Sequence, residues 1–100
     1  MIYFDNSATT KPYPEVIDSF AKVAGEYFGN PSSLHGLGAS AERLLQKARK
    51  QIADLLHTTP SEIVFTSGGT EGNNLAIKGT VHAAAKNGHH IITTEMEHAS

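Results

Sequence analysis

Apolar positions along this chain switch between helical and strand spacing. Val16, Ile17, Phe20, Ala24 and Tyr27 recur at i, i+3, i+4 spacing behind Pro12 and Pro14, which predicts a first helix with proline near its start. Residues 1–4 before it are a short apolar run, and residues 5–10 are polar and turn-rich. Gly29, Asn30, Pro31, Ser32 and Ser33 break the helical pattern. A longer helix is predicted over about residues 39–56, with Leu44, Leu45, Ala48, Ile52, Leu55 and Leu56 on one face and Glu42, Arg43, Lys47 and Lys50 on the other. Thr59, Pro60, Ser61 and Glu62 then have capping-box spacing with proline at the first helical position, which predicts a single turn.

The next stretch is the most informative. Ile63, Val64 and Phe65 are β-branched or aromatic and read as a short interior strand. Gly68 and Gly69 follow, and Leu75, Ala76 and Ile77 resume at helical spacing, predicting a third helix over about residues 73–86 that stops at Asn87-Gly88. Ile91, Ile92, Thr93 and Thr94 read as a second strand. The expected architecture is therefore α/β, with a βαβ unit. A right-handed crossover would place both strand ends on one edge of a parallel sheet, where open α/β sheets bind ligands. Ser67, Gly68, Gly69 and Thr70 leave the end of the first strand, and Glu95, Met96, Glu97 and His98 leave the end of the second, so His98 is expected beside the glycine turn.

A glycine-rich turn into a helix is a candidate anion site, because its free N–H groups can converge on a phosphate while glycine permits positive φ and close approach. Thr70 adds a hydroxyl. The same residues also suit a plain strand-to-helix turn with Ser67 or Thr70 as N-cap. Glu71 fits a helix N-terminus but would repel a phosphate, so it is expected to point away from any such ligand. No lysine follows the glycines until Lys78, which argues against a P-loop. The dinucleotide fingerprint is matched only at Gly69 and Gly72, with Ser67 in place of its first glycine and Glu95 as the acidic residue, and stays open as an alternative.

Composition narrows the function. With 39% hydrophobic and 18% charged residues the chain is an ordinary globular sequence of at most one domain. A net charge of −2 offers no electrostatic footprint for nucleic acid or an anionic membrane, and no basic, apolar leader pattern opens the sequence, so the expected setting is cytoplasmic. The absence of cysteine excludes disulfides and thiolate metal sites within these residues. His89 and His90 would face opposite sides of a strand, and His82 and His89 do not share a helix face, so no metal site is expected.

Four blocks together carry a resemblance. Phe4, Asp5, Asn6, Ser7, Ala8, Thr9 and Thr10 form the first, and Gly29 to Ser33 with His35 the second. Phe65 to Glu71 with Asn74 to Gly79 form the third, and Ile91 to Thr94 with Glu97 and His98 the fourth. In this order they resemble the cysteine desulfurases of the class V aminotransferase family. The resemblance implies a fold type I pyridoxal-phosphate transferase, with residues of about 1–60 as arm and helices and residues of about 61–100 as the first βαβ unit of the mostly parallel large-domain sheet. It implies pyridoxal 5'-phosphate as cofactor, with Gly69 and Thr70 on its phosphate and His98 stacked on its ring and taking part in proton transfer. It also implies conversion of L-cysteine to L-alanine with the sulfur passed to an enzyme cysteine as a persulfide. A homodimer, and a sulfur acceptor or scaffold protein as partner, come with it. His35 and the Asn30-Pro31 turn are placed toward the active site or the dimer partner. Selenocysteine lyase and a non-catalytic anion- or nucleotide-binding module are the alternatives.

Two departures stand beside the resemblance. The family usually has alanine where Gly69 and Ser7 stand; since backbone N–H groups hold the phosphate, neither change is expected to abolish the site. The Schiff-base lysine and the nucleophilic cysteine have no counterpart, because no lysine here has a Ser-x-His context and there is no cysteine. The chain is therefore expected to be the amino-terminal part of a longer enzyme, without desulfurase activity by itself.

Overall fold

The computed structural model describes residues 1–100, which form helices α1 (Pro14–Glu26), α2 (Gly36–Leu55) and α3 (Gly69–Ala84) and a 3₁₀ turn, Pro60–Glu62. The backbone divides into two compact units, Met1–Ile63 and Val64–Ser100.

In the first unit α1 begins with Pro14 at its first position, where a missing N–H costs nothing. Helix α2 starts three residues earlier than the apolar pattern indicates. His35 is the reason: its Nδ1 accepts from the Gly38 N–H at 3.3 Å and so caps the first turn, a role usually taken by Ser, Thr, Asp or Asn. The preceding loop is folded on itself, with Asn30 Oδ1 accepting from Ser32 N–H at 2.9 Å and Asn30 O from Ser33 N–H at 2.9 Å. It lies so close to α2 that a Cβ on Gly38 would stand 2.3 Å from Ser33 O and 2.7 Å from Asn30 O. Only glycine fits at that crossing.

Helix α2 ends in a Schellman motif, with Thr58 N–H on Ala53 O at 3.0 Å and His57 N–H on Asp54 O at 3.3 Å. His57 holds the left-handed position, φ 53°, that glycine usually takes. The expected single turn at residues 59–62 is present. Glu62 Oε2 accepts from Thr59 N–H at 2.9 Å, from Thr59 Oγ1 at 2.8 Å and from the Thr58 hydroxyl. Those donors, Thr58 first, hold the Glu62 carboxyl down to about 2. Arg49 of α2 donates to the Ile63 carbonyl and ties the end of this turn back to the helix.

In the second unit α3 starts at Gly69, four residues before the apolar pattern does. The expected βαβ unit is not assembled. Residues 63–66 and 88–94 have no regular helical or sheet structure on either side of α3, and the structure contains no strand. An apolar, β-branched run becomes a strand only when a neighbour about 4.8 Å away exchanges N–H and C=O bonds with it, and neither run finds one here.

Burial follows from this. Ala41 and Ala53, both in α2, are the only buried apolar residues, whereas Phe20 is 75%, Leu55 80% and Ile92 98% exposed. A domain of this length ordinarily buries well over half of the surface of its unfolded chain. The 100-residue chain on its own is therefore expected to bind a hydrophobic dye and to lose structure on heating without a cooperative transition. A sharp, concentration-independent calorimetric melt from a monomer would overturn that expectation.

Candidate functional site at the start of helix α3

The site is built by the way α3 begins. Gly68 is the N-cap residue and is extended, φ 163° and ψ −175°, and no side chain caps the helix. The alternative in which Ser67 or Thr70 serves as N-cap is not what the structure has, and no glycine uses the positive φ that glycine permits. The turn enters the helix from extended backbone and needs no left-handed residue. The first helical bond runs from Gly72 N–H to Gly68 O at 3.0 Å. The N–H groups of Gly69, Thr70 and Glu71 precede that bond and have no acceptor within the helix. They lie at the positive end of the helix dipole, and the Thr70 side chain is exposed in the same turn.

Glu71 is fastened to the residue just before the N-cap, not pointed away from this end as expected. Its Oε2 accepts from Ser67 N–H at 2.8 Å and from Ser67 Oγ at 2.5 Å. The Ser67 hydroxyl, then the Ser67 N–H, lowers the carboxyl below the usual carboxylate range. These bonds fix where the carboxylate sits, beside the residue preceding the N-cap, and leave it charged. Thr66 Oγ1 donates to Gly68 O at 3.1 Å, and Asn74 Nδ2 to Thr70 O at 2.8 Å, so the turn is braced on both sides of the glycines.

His98 reaches α3 by a route that sequence does not indicate. Its ring Nδ1 accepts from Ser100 N–H at 3.1 Å, and Ser100 Oγ accepts from Asn73 Nδ2 at 2.8 Å. Residues 98–100 are therefore fastened to the second turn of the helix whose first turn carries Gly69 and Thr70. The contacts of Ser67 with Glu71 have a signal in the i, i+4 spacing of a hydroxyl and a carboxylate. The contact between Asn73 and Ser100 spans 27 residues and has none.

The donor set fits a phosphate monoester. It offers outward backbone N–H groups, a hydroxyl and a helix dipole, with the Glu71 carboxylate held in place by Ser67. Glycine at 68 and 69 leaves open space, since a Cβ at either would meet nothing within 4 Å.

The aminotransferase class-V family model matches residues 2–100, and the chain belongs to that family. Among its relatives, it is 58% identical over 100 residues to a NifS/IcsS protein homolog of Lactobacillus delbrueckii subsp. bulgaricus, covering all of this chain and 26% of that protein. It is 49% identical over 100 residues to cysteine desulfurase 2 of Trichormus variabilis, covering all of this chain and 25% of the relative. To cysteine desulfurase IscS of Methanosarcina thermophila it is 46% identical over 97 residues, with 97% and 24% covered. A solved structure named a NIFS-like protein superposes with a TM-score of 0.85 at 41% identity, over 97% of this chain and 27% of that one. The chain thus spans about a quarter of the length of these proteins. The likeness supports the fold type I architecture at the level of the family.

Because the folded-state carboxyl of Glu71 lies below its ordinary range, its tie to Ser67 is complete above that range and is lost as pH falls through the lowered value. The expected carboxyl ¹³C titration of Glu71 therefore has its midpoint below that of an ordinary glutamate, and Ser67→Ala returns it toward the ordinary range. Coincident midpoints in the two proteins would remove Ser67 from this role.

Proposed function

We propose that this chain is the cofactor-phosphate-holding part of a pyridoxal-phosphate-dependent cysteine desulfurase. One observation carries the reading: in a chain of the aminotransferase class-V family, α3 opens on outward N–H groups behind two glycines that neither backbone conformation nor packing requires. The backbone N–H groups of this turn, with the Thr70 hydroxyl beside them, are the donors a phosphate would take, and they do not depend on the side chain at residue 69.

On this reading Gly69 and Thr70 bind the phosphate, the first through its N–H and the second through N–H and hydroxyl. Ser67 fixes the position of the Glu71 carboxylate, which stays ionised, so the phosphate is held by the amides and hydroxyl in spite of a fixed negative neighbour. Pyridoxal phosphate, when bound, supplies an electron sink for bond changes at the α-carbon and sulfur of an amino acid. His98 holds or moves a proton. Its Nδ1 is engaged by Ser100 N–H, so Nε2 is the ring atom left to donate or accept. A flat imidazole can also cover an aromatic face.

The reading takes L-cysteine as substrate and L-alanine as product, with the sulfur carried as a persulfide on a cysteine outside these residues. The Schiff-base lysine is likewise assigned to the remainder of the relatives' length, of which this chain spans 26% in the Lactobacillus protein. Residues 63–66 and 91–94 become adjacent parallel strands once that remainder supplies neighbours. A cytoplasmic homodimer that passes sulfur to an acceptor or scaffold protein completes the proposal. No helix is long and apolar enough to cross a membrane.

In the full-length enzyme Thr70→Val keeps the shape of the side chain and removes one hydrogen bond to a charged group, worth about 1.5–3 kcal/mol. Cofactor affinity measured by equilibrium dialysis is expected to fall roughly tenfold or more; unchanged affinity would reduce the turn to a structural one. His98→Ala is expected to retain pyridoxal phosphate and to lose roughly a hundredfold or more of its turnover, since a positioned proton-transfer group contributes about that much. Alanine formation at the wild-type rate by the purified variant would remove His98 from the chemistry.

A further inference from the structure

The route by which His98 is attached to α3 assigns a role to a residue that the reading above does not use. We propose that Asn73 is a positioning residue for His98, acting through Ser100. The inference rests on the proposed role of His98 in proton transfer.

The contacts form a relay of two hydrogen bonds. Asn73, in the second turn of α3, donates from Nδ2 to Ser100 Oγ at 2.8 Å, and Ser100 donates its backbone N–H to His98 Nδ1 at 3.1 Å. The first bond fixes where residue 100 sits relative to the helix. The second fixes the ring. An Nδ1 that accepts from a backbone N–H carries no proton, so the neutral ring holds its proton on Nε2 and presents that atom away from Ser100. If the Asn73 amide is turned over, its oxygen accepts from the Ser100 hydroxyl instead, and the same two residues remain joined.

The relay matters because the bond from Asn73 to Ser100 is what joins this segment to the helix. Residues 97–100 have no helical or sheet bonds of their own, and His98 is exposed. The remaining side-chain bond near it, Thr94 Oγ1 to Glu97 Oε1 at 2.8 Å, is internal to the segment and anchors nothing to α3. Asn73 is itself exposed, so its amide is not needed to fill a core. Its one side-chain bond reaches 27 residues along the chain to the neighbour of the imidazole. The helix that carries Gly69 and Thr70 at its start thus also sets the distance from that start to the ring of His98.

The test compares Asn73→Leu and Asn73→Asp with wild type in the full-length enzyme. Leucine removes the bond at similar size, whereas the carboxylate of aspartate can still accept from the Ser100 hydroxyl. Asn73→Leu is expected to keep its cofactor and its KM, to lose roughly tenfold or more in kcat, and, as apo-protein, to exchange the amides of residues 98–100 faster. Asn73→Asp is expected to restore both kcat and exchange. Wild-type kcat in Asn73→Leu would overturn the proposal, as would loss of cofactor in that variant or failure of aspartate to rescue. If the wild-type enzyme retains no pyridoxal phosphate, the cofactor reading fails, and the exchange rates in the apo-protein still decide whether Asn73 holds the His98 segment.

Discussion

A helix that begins at Gly69 leaves its first amide groups with no acceptor inside it, and the second unit is organised around that fact. The common remedy is a side-chain cap at the residue before the helix, and Gly68 has no side chain to provide one. The acidic residue of the first turn, Glu71, accepts from both donors of Ser67 and so satisfies the amide just before the helix, not the first amides within it. Thr66 and Asn74 spend their side chains on carbonyl oxygens on either side of the glycines. The side chains of Thr66, Ser67, Glu71 and Asn74 are thus committed to holding the shape of the turn, while the first amides of the helix have no acceptor within it.

The same economy of partners governs the extended segments. Residues 63–66 carry Ile63, Val64 and Phe65, and residues 91–94 carry Ile91 and Ile92, a composition suited to a sheet interior. Helices can satisfy their own backbone, and α1, α2 and α3 form without help. A strand cannot. Helices are therefore complete here while strands are absent, and Val16, Leu75 and Ile77, at 55%, 50% and 57% exposure, have no sheet to cover.

The helices were legible because their period, their prolines and their capping spacing are all local. The 3₁₀ turn at residues 60–62 is the clearest case, since Thr59 and Glu62 state their own contact in sequence. The starts of α2 and α3 were not. One depends on an imidazole as a cap, and the other on a helix that begins inside its glycines before any apolar period can register. Gly69, Thr70 and His98 were singled out by the glycine turn, the order of the elements and the family resemblance. What sequence could not give was the attachment of His98, because Asn73 and Ser100 are polar residues of no special pattern whose meeting depends on the path of the intervening chain. The expected βαβ geometry would bring His98 toward the turn by way of a sheet edge; the structure joins its segment to the same helix by one hydrogen bond, Asn73 to Ser100, and the ring to that segment by a second.

The first turn of α2 carries a consequence for motion. Helices usually fray from their ends, one residue at a time, at little cost. Here the cap is His35, the crossing point is Gly38, and the loop oxygens of Asn30 and Ser33 lie against that glycine. The first turn cannot unwind without releasing the loop, and the loop cannot swing out without stripping the cap. Residues 29–38 should accordingly open as one cooperative step, so that any ligand or neighbour that settles on the Asn30-Pro31 corner also clamps the start of a 20-residue helix.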